Sequence, residues 1–174
     1  MALTDCNLIT GEQIDCRSSV GGIATIYITE LQNKLSITSS SGTITAFSLN
    51  SGKKFWVYEV EKENAEMNTN AIVSVENGTV YYESTVSFTL KKMSAQKRNN
   101  LEKLALNRVM IIVKDNNGLY QLLGEVNGAD LTTAEGKTGK AFGDMNGYSL
   151  TFTAKEPSPN NIVTSSLITA LTTG

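Results

Sequence analysis

The chain has 174 residues, 18% of them charged, a formal net charge of −2 and no histidine. A single domain of this length buries roughly 70% of its extended surface, enough for a real core. The near-neutral balance argues against the basic face of a nucleic-acid binder. The missing histidine removes Ser-His-Asp triads, His-based acid–base catalysis and most zinc sites.

The opening MALTDCNLITGEQ has neither a basic n-region nor an apolar h-region, so no signal peptide is expected. No apolar run approaches membrane-spanning length. Cys6 and Cys16 can close a small disulfide loop or stay as thiols, and the expectation is two free thiols in a reducing compartment. The texture that follows is that of a mainly β protein: short apolar runs punctuated by Gly and Asn, with only two prolines. Ile23 to Ile28 is a β-branched strand bounded by Gly21 and Gly22. Leu35 to Thr38 and Thr43 to Leu49 form a hairpin around SSSG.

Lys54 to Lys62 is the next expected strand, with Trp56, Tyr58 and Val60 toward a core and Glu59, Glu61 and Glu63 on the other face. An alternative lets EKENAEMNTN leave the sheet as a loop. Ala71 to Val75 and Thr79 to Leu90 flank the turn signal ENG. In the longer run Val80, Tyr82, Val86, Phe88 and Leu90 share one face, broken by Ser84, while Glu83 belongs to the polar face. One helix is expected over residues 93–107, capped by Ser94 and carrying a Leu101, Leu104, Ala105 stripe, with Lys97, Arg98 and Lys103 on a solvated face.

RVMIIVK, DNNG and LYQLLGEV then read as a buried strand, a turn and a returning strand. A calcium loop at Asp115–Asn117, or at Asp144 with Asn146, lacks the further oxygens and the terminal Glu such loops need, so turn chemistry is the reading. Residues 127–147 are expected to be a long linker. Within them Gly136-Lys137-Thr138 copies the end of a phosphate-binding loop, but Leu131 stands where its first glycine belongs, and no helix pattern follows. Residues 148–156 alternate strictly, with Tyr148, Leu150 and Phe152 inward. From Pro157 the uncharged tail is expected to give a short strand and then a free end suited to docking on a neighbouring subunit.

DCRSSVGGIATIYI (15–28), YQLLGEVNGADL (120–131) and TGKAFGDMNGYSLTFTAKEPSP (138–159) resemble tail proteins of tailed bacteriophages, the tail-tube and related ring-forming family. The resemblance spans the chain and rests on local phrasing, with no catalytic signature. It implies one α+β, mainly β domain over 1–174: an antiparallel β-sandwich or half-barrel flanked by one helix. Residues of about 1–20 and 157–174 would be inter-subunit contacts. It implies hexameric rings or a tube in the virion tail, assembled in the host cytoplasm, contacting other tail or neck proteins and passing DNA without specific binding. Glu59, Glu61, Glu63 and Glu83 would then line the lumen. No enzymatic activity, catalytic residue, cofactor, metal, membrane or small-molecule substrate is expected. The alternatives are a β-sandwich that binds carbohydrate or protein on a virion or cell surface, and the tube subunit of a contractile injection apparatus. Glycosidase carboxylates remain open, because such partners meet only in the fold.

Overall fold

The computed structural model describes residues 10–173. Eleven strands are present there: β1 (Ile23–Glu30), β2 (Lys34–Ser40), β3 (Thr43–Leu49), β4 (Trp56–Glu59), β5 (Ala65–Ser74), β6 (Thr79–Lys91), β7 (Val109–Asp115), β8 (Tyr120–Leu123), β9 (Ala129–Lys137), β10 (Gly147–Glu156) and β11 (Asn161–Val163). Two helices, α1 (Ala95–Leu106) and α2 (Ser165–Thr173), complete a β-rich α+β fold. The strands run in the order β2-β3-β11-β8-β7-β9-β10-β6-β5, with β1 also on β7 and β4 on β1. All pairings are antiparallel except β11 with β3.

The β7–β9 junction is a single rung, Val109 opposite Ala129. There the sheet turns upon itself, so that β1 and β7 face β6 and β10 across one core. That core holds Ile26, Ile28, Ile111 and Val113 from one side and Val86, Phe88, Leu150 and Phe152 from the other. Phe88 and Phe152 stack with ring centroids 6.0 Å apart. A second core lies on the opposite face of β7, where Met110 and Ile112 meet Ile44, Phe47, Phe55, Leu122 and Val163. This explains the unbroken run VMIIV: Val109 to Val113 are all buried, because both faces of the strand are covered.

α2 closes the second core. Ile168 and Leu171 fall at i and i+3 and are buried in it. Phe55 donates its backbone N–H to the Leu171 carbonyl at 2.8 Å, and the Thr164 hydroxyl donates to the Ile44 carbonyl at 2.8 Å. The expected free end is therefore a helix docked on its own chain, and the described residues hold two helices rather than one. The expected linker is also corrected: β9 pairs with β10 from Ala129 to Lys137. β9 is nearly all exposed and carries little apolar signal. The open edge of β10 recruits it.

The hairpin around SSSG forms as expected, with Ser41 and Gly42 both at positive φ (50° and 76°) in a two-residue turn. α1 starts at its Ser94 cap, whose hydroxyl accepts the Lys97 N–H at 3.2 Å. Leu101 and Leu104 rest on the first core, whereas Ala105 is exposed and no α1 residue is fully buried. Lys97 does not stand free in solvent: its ammonium turns back to the carbonyls of Lys91 and Lys92. Neither helix is long and apolar enough to cross a membrane.

Candidate assembly surfaces

The sheet path ends on β2 at one side and on β5 at the other. β5 is ten residues long, and its sequence AEMNTNAIVS contains no lysine or proline and a single charge, Glu66. Natural edge strands are usually blunted by lysine, proline, bulges or short length, and β5 pairs with β6 over all ten rungs without a register shift. Expected as only Ala71–Val75, this strand begins at Ala65, so most of EKENAEMNTN is sheet rather than loop.

The β5–β6 hairpin also outruns its support. β10 pairs with β6 only as far as Tyr82, opposite Glu156. The rungs Ile72–Tyr81, Val73–Val80 and Ser74–Thr79 lie beyond it, a projection of about 10 Å at ~3.3 Å per residue. Val73, Val75 and Val80 are exposed there, Val75 at 91%. Val80 thus departs from the expected core face: the alternation is right, but no opposing layer reaches the tip. At the hairpin's base, the side chains of Thr69, Ser84 and Asn160 close a three-membered hydrogen-bond ring, each contact 3.0 Å. Ser84, the polar break in the apolar face, is thereby satisfied while buried.

The outward face of β6 and β10 is rich in hydroxyls. Thr85, Ser87 and Thr89 lie opposite Thr153, Thr151 and Ser149. Glu83 stands at one end of this face and bonds Lys155 at 3.2 Å. The other three acids differ from expectation. β4 ends at Glu59, so only that residue lies in the strand. Glu63 sits at φ +61° in the turn that Asn64 N–H closes onto the Glu61 carbonyl at 3.3 Å. Glu61 pairs with Lys91. Glu59, Glu61 and Glu63 therefore do not share one strand face. Lys91 and Glu83 are eight residues apart on β6, so the two ion pairs lie toward opposite ends of the stretch that β6 shares with β10. Trp56 is also misplaced by alternation alone: it is 63% exposed, with the Lys54 ammonium 4.9 Å from its ring centroid.

Two clefts run beside α1. One, of about 540 Å³, has Tyr58, Leu90, Leu101, Leu104 and Tyr148 on its floor and Glu59, Glu61 and Lys91 at its rim. Burial raises the Tyr58 phenol pKa above its ordinary value. The other, of about 720 Å³, is more polar and includes Trp56, Lys53, Lys54, Asn100 and Lys103.

Between β9 and β10, the loop 138–146 turns on Gly139 at φ +71°. The Asp144 carboxylate accepts the backbone N–H groups of Lys140 and Ala141, both at 2.8 Å. The Ala141 and then the Lys140 hydrogen bond hold its pKa below the ordinary carboxylate value. Phe142, at the tip, is fully exposed. Lys137 ends β9 rather than lying in a loop, and its ammonium pairs with Glu135 at 2.8 Å; that hydrogen bond and charge lower the Glu135 pKa. β9 passes through this loop into β10, not into a helix, so the strand–loop–helix frame of a phosphate site is not formed.

The carboxylates weighed for calcium serve the chain itself. Asp115 accepts N–H groups from Asn117 and Leu119 at 2.9 and 2.8 Å. The turn asparagines do more than bend the chain. Asn117 exchanges two 2.8 Å hydrogen bonds with the Val20 backbone, and Asn116 donates to the Gly21 carbonyl at 2.7 Å. They tether a segment whose residues Gly11 to Val20 are all exposed. Cys16 is exposed within it, and Cys6 lies outside the described residues. Among the described residues, no group of three acidic or cysteine side chains is placed to hold a metal ion.

No protein-family model and no curated protein matches the chain. Among solved structures, the chain is similar to one from the virion of a native gene transfer agent particle, at 10% identity and a TM-score of 0.39, covering 62% of this chain and 89% of the other.

Proposed function

We propose that this chain is a non-enzymatic structural protein of a phage-type tail, whose copies join edge to edge into rings or a tube. The observation that carries this reading is β5: a ten-residue edge with no lysine, proline or bulge, running into an exposed valine tip. Such an edge is a template for another strand, and a partner removes the liability. With β2 at the far end of the path, joining β5 of one copy to β2 of the next is a head-to-tail contact, which gives a ring when the rotation between copies closes. The resemblance of residues 15–28, 120–131 and 138–159 to tail-tube and ring-forming proteins supports the same reading, as does the exposed segment Gly11–Val20.

The hydroxyl face of β6 and β10 is the wall that such a ring would turn to passing DNA. Its serines and threonines hold water and carry no net charge, and the Glu83–Lys155 pair is balanced, so the polyanion finds no cationic row to bind. Glu83 is the acid best placed for a lumen role; Glu59, Glu61 and Glu63 would join it only around the β4 end. Negative-stain electron microscopy of the purified protein tests the assembly: rings or tubes are expected, and a strict monomer at high concentration would overturn it.

One observation favours a second reading. Exposed Trp56 beside a polar cleft with Asn100 and Lys103 is a stacking platform of the kind a carbohydrate-binding module uses. Glycan-array binding by a stable monomer, lost in Trp56→Ala, would favour that module over the tube.

A further inference from the structure

We infer that Phe142 of one copy is the knob that fills the apolar cleft under α1 in a second copy. The inference rests on the self-assembly reading above and adds to it a specific contact away from the β5 edge. Phe142 is a large apolar side chain with full exposure, on a loop held by two 2.8 Å hydrogen bonds to Asp144. The loop's base is bonded to the connection between β6 and α1: Lys92 N–H donates to the Asn146 carbonyl at 2.6 Å. Phe142 is therefore presented outward in a fixed place rather than folded onto its own chain.

The cleft is the complementary shape. Its volume of about 540 Å³ and its floor of Tyr58, Leu90, Leu101, Leu104 and Tyr148 suit an aromatic ring, and α1 covers them only in part. Charge favours this occupant. On the cleft rim Glu61 pairs with Lys91, and Lys97 is bonded to the carbonyls of Lys91 and Lys92; Glu59 there, and Lys140 two residues from the knob, each lack an ion-pair partner among the described residues. A second copy supplies both the ring and the matching cation. Removing an aromatic knob raises the dissociation constant of such a contact by about ten- to a hundredfold.

Cysteine pairing tests the contact. In the full chain with Cys6→Ser and Cys16→Ser, Ala141→Cys, which leaves the Phe142 knob in place, and Asn100→Cys are made on separate chains; both sites are exposed, so folding is preserved. Mixed and oxidised, they should give a covalent dimer beyond that of either variant alone. No excess dimer in the mixture overturns the inference. Sedimentation separates it from the reading it rests on. If Phe142→Ala associates as strongly as wild type, the knob is wrong while assembly stands. If the wild type itself never associates, both fall. Lys140→Glu should weaken association and Glu59→Lys in the same chain should restore it, whereas no restoration removes the assigned charge pair.

Discussion

β7 and the tip of the β5–β6 hairpin carry the same kind of residue and meet opposite fates. Both present β-branched apolar side chains, Val109, Ile111, Ile112 and Val113 in β7 and Ile72, Val73 and Val80 at the tip. β7 has a layer on each face and buries Val109 to Val113 completely. The hairpin loses its support beyond Tyr82 and leaves Val73, Val75 and Val80 in solvent. Apolar composition alone therefore does not mark the core; what decides is whether an opposing layer reaches that far. On the assembly reading proposed above, the apolar surface left uncovered on this unguarded edge is the surface a second copy would cover.

The comparison is broken most severely in the core. Phe152→Ala removes a fully buried ring stacked on Phe88 and should cost about 3–5 kcal/mol in chemical denaturation. A loss below about 1 kcal/mol would mean the two layers are not packed as described. Next comes the join between the regions. Ser84→Ala opens the Thr69–Ser84–Asn160 ring and leaves the Asn160 carbonyl oxygen without its donor. About 1 kcal/mol should be lost, with faster amide exchange in β5 near Thr69. Unchanged exchange there would show that the ring does not hold the hairpin.

A smaller effect separates ordered from merely exposed surface. Asp144 has a lowered pKa, so its loop is held fully at pH above the ordinary aspartate range and is released as pH falls through the depressed value. Amide exchange at Lys140 and Ala141 should rise at acid pH in the wild type. In Asp144→Asn it should not follow that titration; the same acid-dependent rise in the variant would assign the effect elsewhere. Smallest of all is the stability change at the tip: Val73→Lys with Val75→Lys should stay within about 0.5 kcal/mol of wild type, because neither side chain packs on a core. A cost of several kcal/mol would place the tip among the supporting contacts.

Much of this was legible in the sequence, and the failures share a cause. Alternation located β10 and the inner face of β6, and the run VMIIV marked the strand buried on both sides. Ser94 set the start of α1. β9 was hidden because its residues after Leu131 are polar and its pairing is lent by β10. α2 was hidden because threonine-rich SSLITALTT has a weak helix preference, which packing of Ile168 and Leu171 on Ile44 and Phe47 overrides. The acidic alternation after Glu59 ran past the end of β4, where the chain turns at Glu63. The surfaces proposed for assembly, the unsupported tip and the cleft beside α1, depend on where neighbouring strands stop, which no local pattern encodes.

The central claim is that the unguarded β5 edge and its tip join copies of this chain. Sedimentation velocity over a rising concentration series, on the wild type and on Val73→Lys with Val75→Lys, tests it most directly. The account predicts that the wild type shifts to larger species while the variant, equally folded, associates far more weakly. A wild type that remains monomeric throughout, or a variant that assembles equally well, would contradict it.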